Sequence, residues 1–267
     1  MTIRPSVAVA AGTDMAAAMR RGLLAGAGIL AIVVPCVVGS ARLDFLSAPG
    51  TGVVAGVDTG GARFADFGTE KVSPDVRHVA DWVADSRNAG QSDFVIIDKK
   101  HARVYVFDAG ARLRGAAPVL LGAAKGDESV PGIGSKPVAE VLPAERTTPA
   151  GRFVAERGHN TRGEDVVWVD YDGALSMHRV LTTNSTERRL ERLASPTTED
   201  NRISYGCINV PAAFYDVYIR PVFAIRRAVV YVLPEVKTLQ QVFGSYDVAT
   251  AHVLASGPSS MSSVGGR

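Results

Sequence analysis

A series of short β-branched and aromatic runs, each stopped by Gly, Asp or Pro, constrains this chain more than any other feature. The runs are Phe94 to Asp98, Arg103 to Asp108, Pro118 to Leu121, Arg152 to Glu156, Val166 to Tyr171, Leu175 to Leu181 and Ala228 to Leu233. Residues of this kind fit a pleated, half-buried surface, and the intervening turn residues end each strand early. Helical patterns between them are few, at Thr186 to Ala194, Ala212 to Ile219 and Val236 to Phe243. Strands therefore do not alternate regularly with helices. A mainly β fold, a sandwich or partly closed barrel with a few peripheral helices, is predicted over a parallel α/β sheet.

Upstream, Ser73 and Pro74 read as N-cap and first residue of a helix that puts Val76, Val79, Trp82 and Val83 on one face and ends near Gly90. From Gly22 to Gly39 no residue is charged, and Arg20 and Arg21 precede the run. As a helix it would span roughly 27 Å at about 1.5 Å per residue, near the hydrocarbon thickness, so a cleaved signal peptide and a retained anchor both fit. Translation from Met15 or Met19 would shorten the leader to a conventional length. The predicted organisation is an export signal or anchor at 1–41, a Gly- and Ala-rich linker at 42–72 and a helical lead-in at 73–90. A catalytic domain at 91–235, a helical region at 236–254 and a disordered Ser- and Gly-rich tail at 255–267 complete it. Membrane contact is expected only through residues 22–39, and the domain is expected outside the cytoplasm.

The formal net charge of the 267 residues is +2 and no long Lys/Arg run occurs, so nucleic acid is not an expected partner. No metal is expected: the five histidines form no His-Glu-x-x-His pattern, and two cysteines are too few for a zinc knuckle. No cofactor motif stands out either. Gly132-Ile133-Gly134-Ser135 lacks the lysine of a phosphate loop and reads as a turn.

Cys36 falls inside the export segment, which leaves Cys207 alone beyond it. A lone thiol in an oxidising compartment is either sheltered and inert or kept for its reactivity. Cys207 lies in Ser204-Tyr205-Gly206-Cys207-Ile208-Asn209, read as a tight turn with Pro211 opening a helix. A helix N-terminus would favour thiolate, and N–H groups around Gly206 and Cys207 could face an oxyanion. Asn209 is expected to brace the turn. Of the histidines, His178 is the best-placed base, on a strand whose alternation sets Ser176, His178 and Val180 on one face.

These residues resemble the L,D-transpeptidase (YkuD-type) catalytic domain family from about Phe94 to Pro234. The likeness is carried by Phe94-Val95-Ile96-Ile97-Asp98-Lys99, by Thr148-Pro149-Ala150-Gly151-Arg152-Phe153, by His178, and by Ser204, Gly206, Cys207 and Asn209 as Ser-x-Gly-Cys-x-Asn. The resemblance implies a β-rich fold in which Cys207 attacks a peptidoglycan stem tetrapeptide, releases D-alanine and forms a thioester, with His178 as base and then acid. An acceptor amine from a second stem would give a cross-link, and water would give a carboxypeptidase. A catalytically weak wall-binding protein and a thiol redox sensor are the readings from other classes. The sequence departs from the family pattern in Tyr205, which replaces a common His, in Arg179, which replaces a small residue, and in a longer segment at 179–203. Tyr205 is expected to shape the turn, and Arg179 is a candidate for holding a substrate carboxylate.

Overall fold

The computed structural model describes residues 61–256. The expected export segment with Cys36, the linker up to residue 60 and the tail from residue 257 lie outside the described residues. Helix α1 (Pro74–Ser86) starts where the capping pattern places it, with the Ser73 hydroxyl accepting the Val76 N–H at 3.2 Å. It stops at Arg87, whose left-handed backbone (φ 53°) ends it before Gly90.

The strands are β1 (Phe94–Asp98), β2 (Arg103–Phe107), β3 (Leu113–Pro118), β4 (Leu121–Gly122), β5 (Gly151–His159), β6 (Asp165–Asp170), β7 (Leu175–Arg179), β8 (Arg202–Ser204), β9 (Ile208–Val210) and β10 (Ala228–Val232). Eight of them form one sheet in the order β3-β2-β1-β10-β5-β6-β7-β9, and β4 pairs with β8. β1 runs parallel to β10 and β7 parallel to β9. The other neighbours in the large sheet are antiparallel. The two ends of the sheet nearly meet, because Leu120, just beyond β3, and Asn209 of β9 exchange both backbone hydrogen bonds at 2.9 Å. The fold is therefore mainly β, a nearly closed eight-stranded barrel with short peripheral helices.

Period-two alternation divides the central strands between two cores. Val95 and Ile97 of β1 and Val230 and Val232 of β10 face the barrel interior with Val167, Met177 and Ile208, which is capped by Phe214, Tyr215 and Ile219. Phe94, Ile96, Val229 and Tyr231 face outward and are covered by Val76, Val79, Trp82 and Val83 of α1. Phe94 stacks on Phe107 at 4.8 Å between centroids. Both faces are dry, which is why β1 and β10 read as continuous apolar runs.

Several expected elements are corrected. The run at Pro118 to Leu121 is the junction between β3 and β4, and β3 itself, Leu-Arg-Gly-Ala-Ala-Pro, carries no β-branched residue to announce it. The helix expected at Thr186 to Ala194 is broken by left-handed Arg188 into a 3-10 turn and α2 (Arg189–Ala194). The one expected at Val236 starts only at Leu239, because the N–H groups of Val236 and Lys237 donate to Asp127 instead. Residues 61–72, expected as linker, contribute the buried Phe67 to the outer core, and Asp66 bridges to Arg112. No helix among the described residues is long and apolar enough to cross a membrane.

Candidate active site

The parallel β7–β9 ladder aligns Met177 with Ile208 and His178 with Asn209. Cys207, one residue before β9, is thereby set beside Ser176 and His178 of β7. The Ser176 hydroxyl lies 3.4 Å from the Sγ of half-buried Cys207, and the thiol reaches the Ala174 carbonyl at 3.8 Å. His178 Nδ1 sits 2.7 Å from the Arg179 carbonyl. A carbonyl can only accept, so Nδ1 carries the proton and in the neutral ring Nε2 keeps its lone pair.

The electrostatics of this pair run in opposite directions. Burial pushes the Cys207 thiol up, but the hydrogen bond and charge of His178, followed by the hydroxyl and N–H of Ser176, outweigh it and bring the thiol down to about 7. For His178, burial pushes the pKa down, yet its contacts with Cys207 and with the Arg179 carbonyl raise it above the ordinary histidine value. Both shifts favour thiolate beside imidazolium. The expected helix dipole contributes little: the strand Ile208–Val210 intervenes, and helix begins only at Ala212. At about 3.3 Å per strand residue that is roughly 10 Å of chain, beyond the first turn within which a dipole acts.

The loop around Cys207 is held from several sides. Ser204 Oγ donates to the Cys207 carbonyl at 2.6 Å and accepts the Gly206 N–H at 3.1 Å, so that N–H is already occupied and is not free for an oxyanion. Asn209 Nδ2 donates to the same Cys207 carbonyl at 3.2 Å, while its Oδ1 accepts from Arg189 Nη1 at 2.6 Å. Gly206 adopts φ 129°, and a Cβ there would lie 2.9 Å from the Thr147 carbonyl, so glycine is required on both grounds. Tyr205 is 42% exposed, and the Arg146 guanidinium lies 4.1 Å over its ring.

Arg179 is directed elsewhere. Adjacent strand residues face opposite ways, so Arg179 points away from His178, donates to Asp216 at 2.5 Å and stacks over Tyr215 at 4.2 Å. Its charge is already matched. Sequence reasoning overlooked Arg189, which approaches Asn209 and lowers the His178 pKa by its charge, and Thr148, which is fully buried. Thr148 Oγ1 accepts the Gly122 N–H at 2.8 Å and donates to the Gly206 carbonyl at 2.6 Å. Among the described residues no group of three or more His, Cys, Asp or Glu could hold a metal ion.

Thr148 thus fixes the peptide that leads into Cys207. Thr148→Val should lower kcat by about ten- to a hundredfold, as expected for losing a buried hydrogen bond of about 1–3 kcal/mol, and Thr148→Ser should restore it. Steady-state kinetics with alkylation of Cys207 as control test this. A valine variant with wild-type kcat would remove the positioning role.

No family model matches the chain, and no curated protein matches it. Among solved structures the chain is similar to the helical cell shape determining protein Pgp2 from Campylobacter jejuni, at 16% identity and TM-score 0.37, over 58% of this chain and 55% of that one. An L,D-transpeptidase from Xylanimonas cellulosilytica is similar at 16% identity and TM-score 0.33, over 55% and 62%. The catalytic domain of an Enterococcus faecium L,D-transpeptidase is similar at 16% identity and TM-score 0.26, over 54% and 98%. The matches span 55% of the Campylobacter chain, 62% of the Xylanimonas chain and 50% of a longer Enterococcus faecium L,D-transpeptidase chain. The likeness is distant and concerns L,D-transpeptidases and a cell-shape protein.

Proposed function

We propose that this chain is a cysteine-dependent L,D-transpeptidase that acts on peptidoglycan stem peptides through a thioester on Cys207. The observation that carries the reading is the parallel β7–β9 register, which brings His178 of β7 alongside the segment that begins with Cys207, and the thiol brought down to about 7 beside a histidine whose pKa is raised agrees with it. Such a pair stores a nucleophile and the proton it will hand on. Cys207 Sγ attacks the carbonyl carbon of the third residue of a stem tetrapeptide, and the C–N bond to the fourth breaks. His178 gives its proton to the departing D-alanine amine. The amine of a second stem then attacks the thioester, His178 takes a proton from it, and the thiolate leaves.

The tetrahedral intermediate needs a donor for its oxyanion. A peptide's C=O and N–H point in opposite directions, so pinning the Gly206 carbonyl on Thr148 turns the Cys207 N–H to the other side of the peptide, where it serves as that donor. Ser204 and Asn209, both on the Cys207 carbonyl, hold the following peptide. Tyr205 shapes the loop. Residues 22–39 deliver the domain across a membrane, as signal or anchor, to the compartment where wall peptide is found.

Incubation of the purified chain with stem tetrapeptides, read by mass, tests the function. Loss of D-alanine with a cross-linked product supports the transpeptidase. Loss of D-alanine with a free tripeptide identifies a carboxypeptidase, and an unchanged tetrapeptide overturns the enzyme reading. Alkylation supplies a further check: the rate at Cys207 should rise through about pH 7 and shift upward in His178→Ala, because the imidazolium no longer offsets burial. A thiol that titrates alike in both proteins would sink the paired mechanism.

A further inference from the structure

Of the other half-buried arginines among the described residues, four pair with a carboxylate and the fifth donates to backbone carbonyls. Arg103 pairs with Glu70, Arg179 with Asp216, Arg189 with Glu187 and Arg202 with Glu235, and Arg192 donates to two backbone carbonyls. Arg146 is different. Its Nη2 reaches only the Val141 carbonyl at 3.3 Å, and its buried Nε, like that of Arg103, has no hydrogen-bond partner, but Arg103 has Glu70 to pair with. No carboxylate pairs with it among the described residues. What holds it is the face of Tyr205, with the guanidinium carbon 4.1 Å from the ring centroid. Such a contact contributes only about 0.5–2 kcal/mol and leaves the planar edge of the guanidinium unmatched.

The place of this arginine is set on both sides by the nucleophile loop. Tyr205 immediately precedes Gly206, and Arg146 is two residues before Thr148, which is bonded to the Gly206 carbonyl. Lys136, the nearby cation on the same loop, is already paired with Glu145. A rigid fork of N–H donors stacked on the tyrosine two residues before Cys207 matches a planar anion. In a peptide cut at its last amide, the terminal carboxylate carbon is only about 4 Å from the attacked carbonyl carbon, three bonds away. Of the anionic groups on such a substrate it is the one nearest the flank of Cys207.

We propose that Arg146, stacked on Tyr205, binds the free C-terminal carboxylate of the donor peptide, so that the site selects peptides whose scissile amide is the last one in the chain. The inference rests on the acyl-transfer reading above and adds to it the group that recognises the leaving residue. Lengthening or amidating the C-terminus removes the partner.

The test uses the full chain and two synthetic stem tetrapeptides, one ending in a free D-alanine carboxylate and one in its carboxamide, with product release followed by mass. Wild-type protein should favour the acid by about ten- to a hundredfold in kcat/KM, the range of one charge-assisted hydrogen-bonded contact. Arg146→Met should lose that preference, chiefly through a raised KM for the acid, with turnover of the amide unchanged. Arg146→Lys should retain part of it. Equal turnover of acid and amide by the wild-type protein overturns the carboxylate assignment and leaves the enzyme reading standing. So does an equal fall on both peptides in a folded Arg146→Met. A wild-type protein that turns over neither peptide overturns the acyl-transfer reading itself.

Discussion

Cys207→Ala should abolish release of D-alanine from a stem tetrapeptide, and His178→Ala should lower kcat/KM by about a hundred- to ten-thousandfold. The double variant should be no worse than Cys207→Ala alone. A general base contributes on that scale, and a nucleophile and base that share one proton act as a unit, so their losses do not add. A loss of ten-thousandfold corresponds to about 5.5 kcal/mol of transition-state stabilisation. Both variants should stay folded, because Cys207 is half-buried and the β7–β9 ladder is made by backbone groups that neither substitution removes. Kinetics combined with thermal melting decide the matter. Near wild-type turnover in Cys207→Ala would end the thioester mechanism.

The second large effect is expected at Lys99. Its ammonium is fully buried and reaches Asp127 at 2.8 Å, the Gly126 carbonyl at 2.5 Å and the Thr148 carbonyl at 3.0 Å, with Glu235 at 3.7 Å. Arg202 completes the group by pairing with Glu235 at 2.5 Å and donating to the Lys99 carbonyl. Lys99→Met removes the cation and leaves buried Asp127 without its ion pair, which should destabilise the domain by about 3–5 kcal/mol. Since Lys99 also holds Thr148, activity should fall with stability. Urea unfolding at neutral pH measures this, and an unchanged midpoint would show that the network contributes nothing.

The same network should mark the acid limb of stability. Burial pushes Asp127 up, but the Lys237 N–H, the Lys99 ammonium and the N–H groups of Glu235 and Val236 together bring it down from 3.8 to about 2. A carboxyl with a depressed folded pKa stabilises the fold above its unfolded value. That contribution, about 2 kcal/mol, is present above about pH 4 and is lost as pH falls toward 2. Asp127→Asn should flatten this part of the stability profile.

What the sequence disclosed follows from the range of the forces involved. β1, β2, β5, β6, β7 and β10 are announced by their own side chains, and α1 by Ser73 and Pro74, because alternation and capping are local. β3 is not announced, since its residues become a strand only through the ladder with β2. β8 and β9 are three residues each, too short for a period to emerge. The identities of Cys207 and His178 could be read from residue chemistry and family likeness, but their meeting depends on a parallel ladder whose partners, such as Met177 and Ile208, are far apart in the chain. Alternation along β7 would have turned Arg179 away from His178 had it been applied one residue further. The Lys99 network joins residues 99, 127, 202 and 235, and no window along the chain contains it.

The parallel pairing of β1 with β10 has a consequence for how the molecule comes into being. Phe94 waits for Val229, and Ile97 for Val232, so the middle of the sheet stays incomplete until nearly all of the described chain has been synthesised. Contacts so far apart in sequence close slowly, after a large loop entropy has been met. A polypeptide that postpones its central ladder to its last strand leaves its barrel open while it is being made, with β1 and β5 lacking the neighbour that joins them.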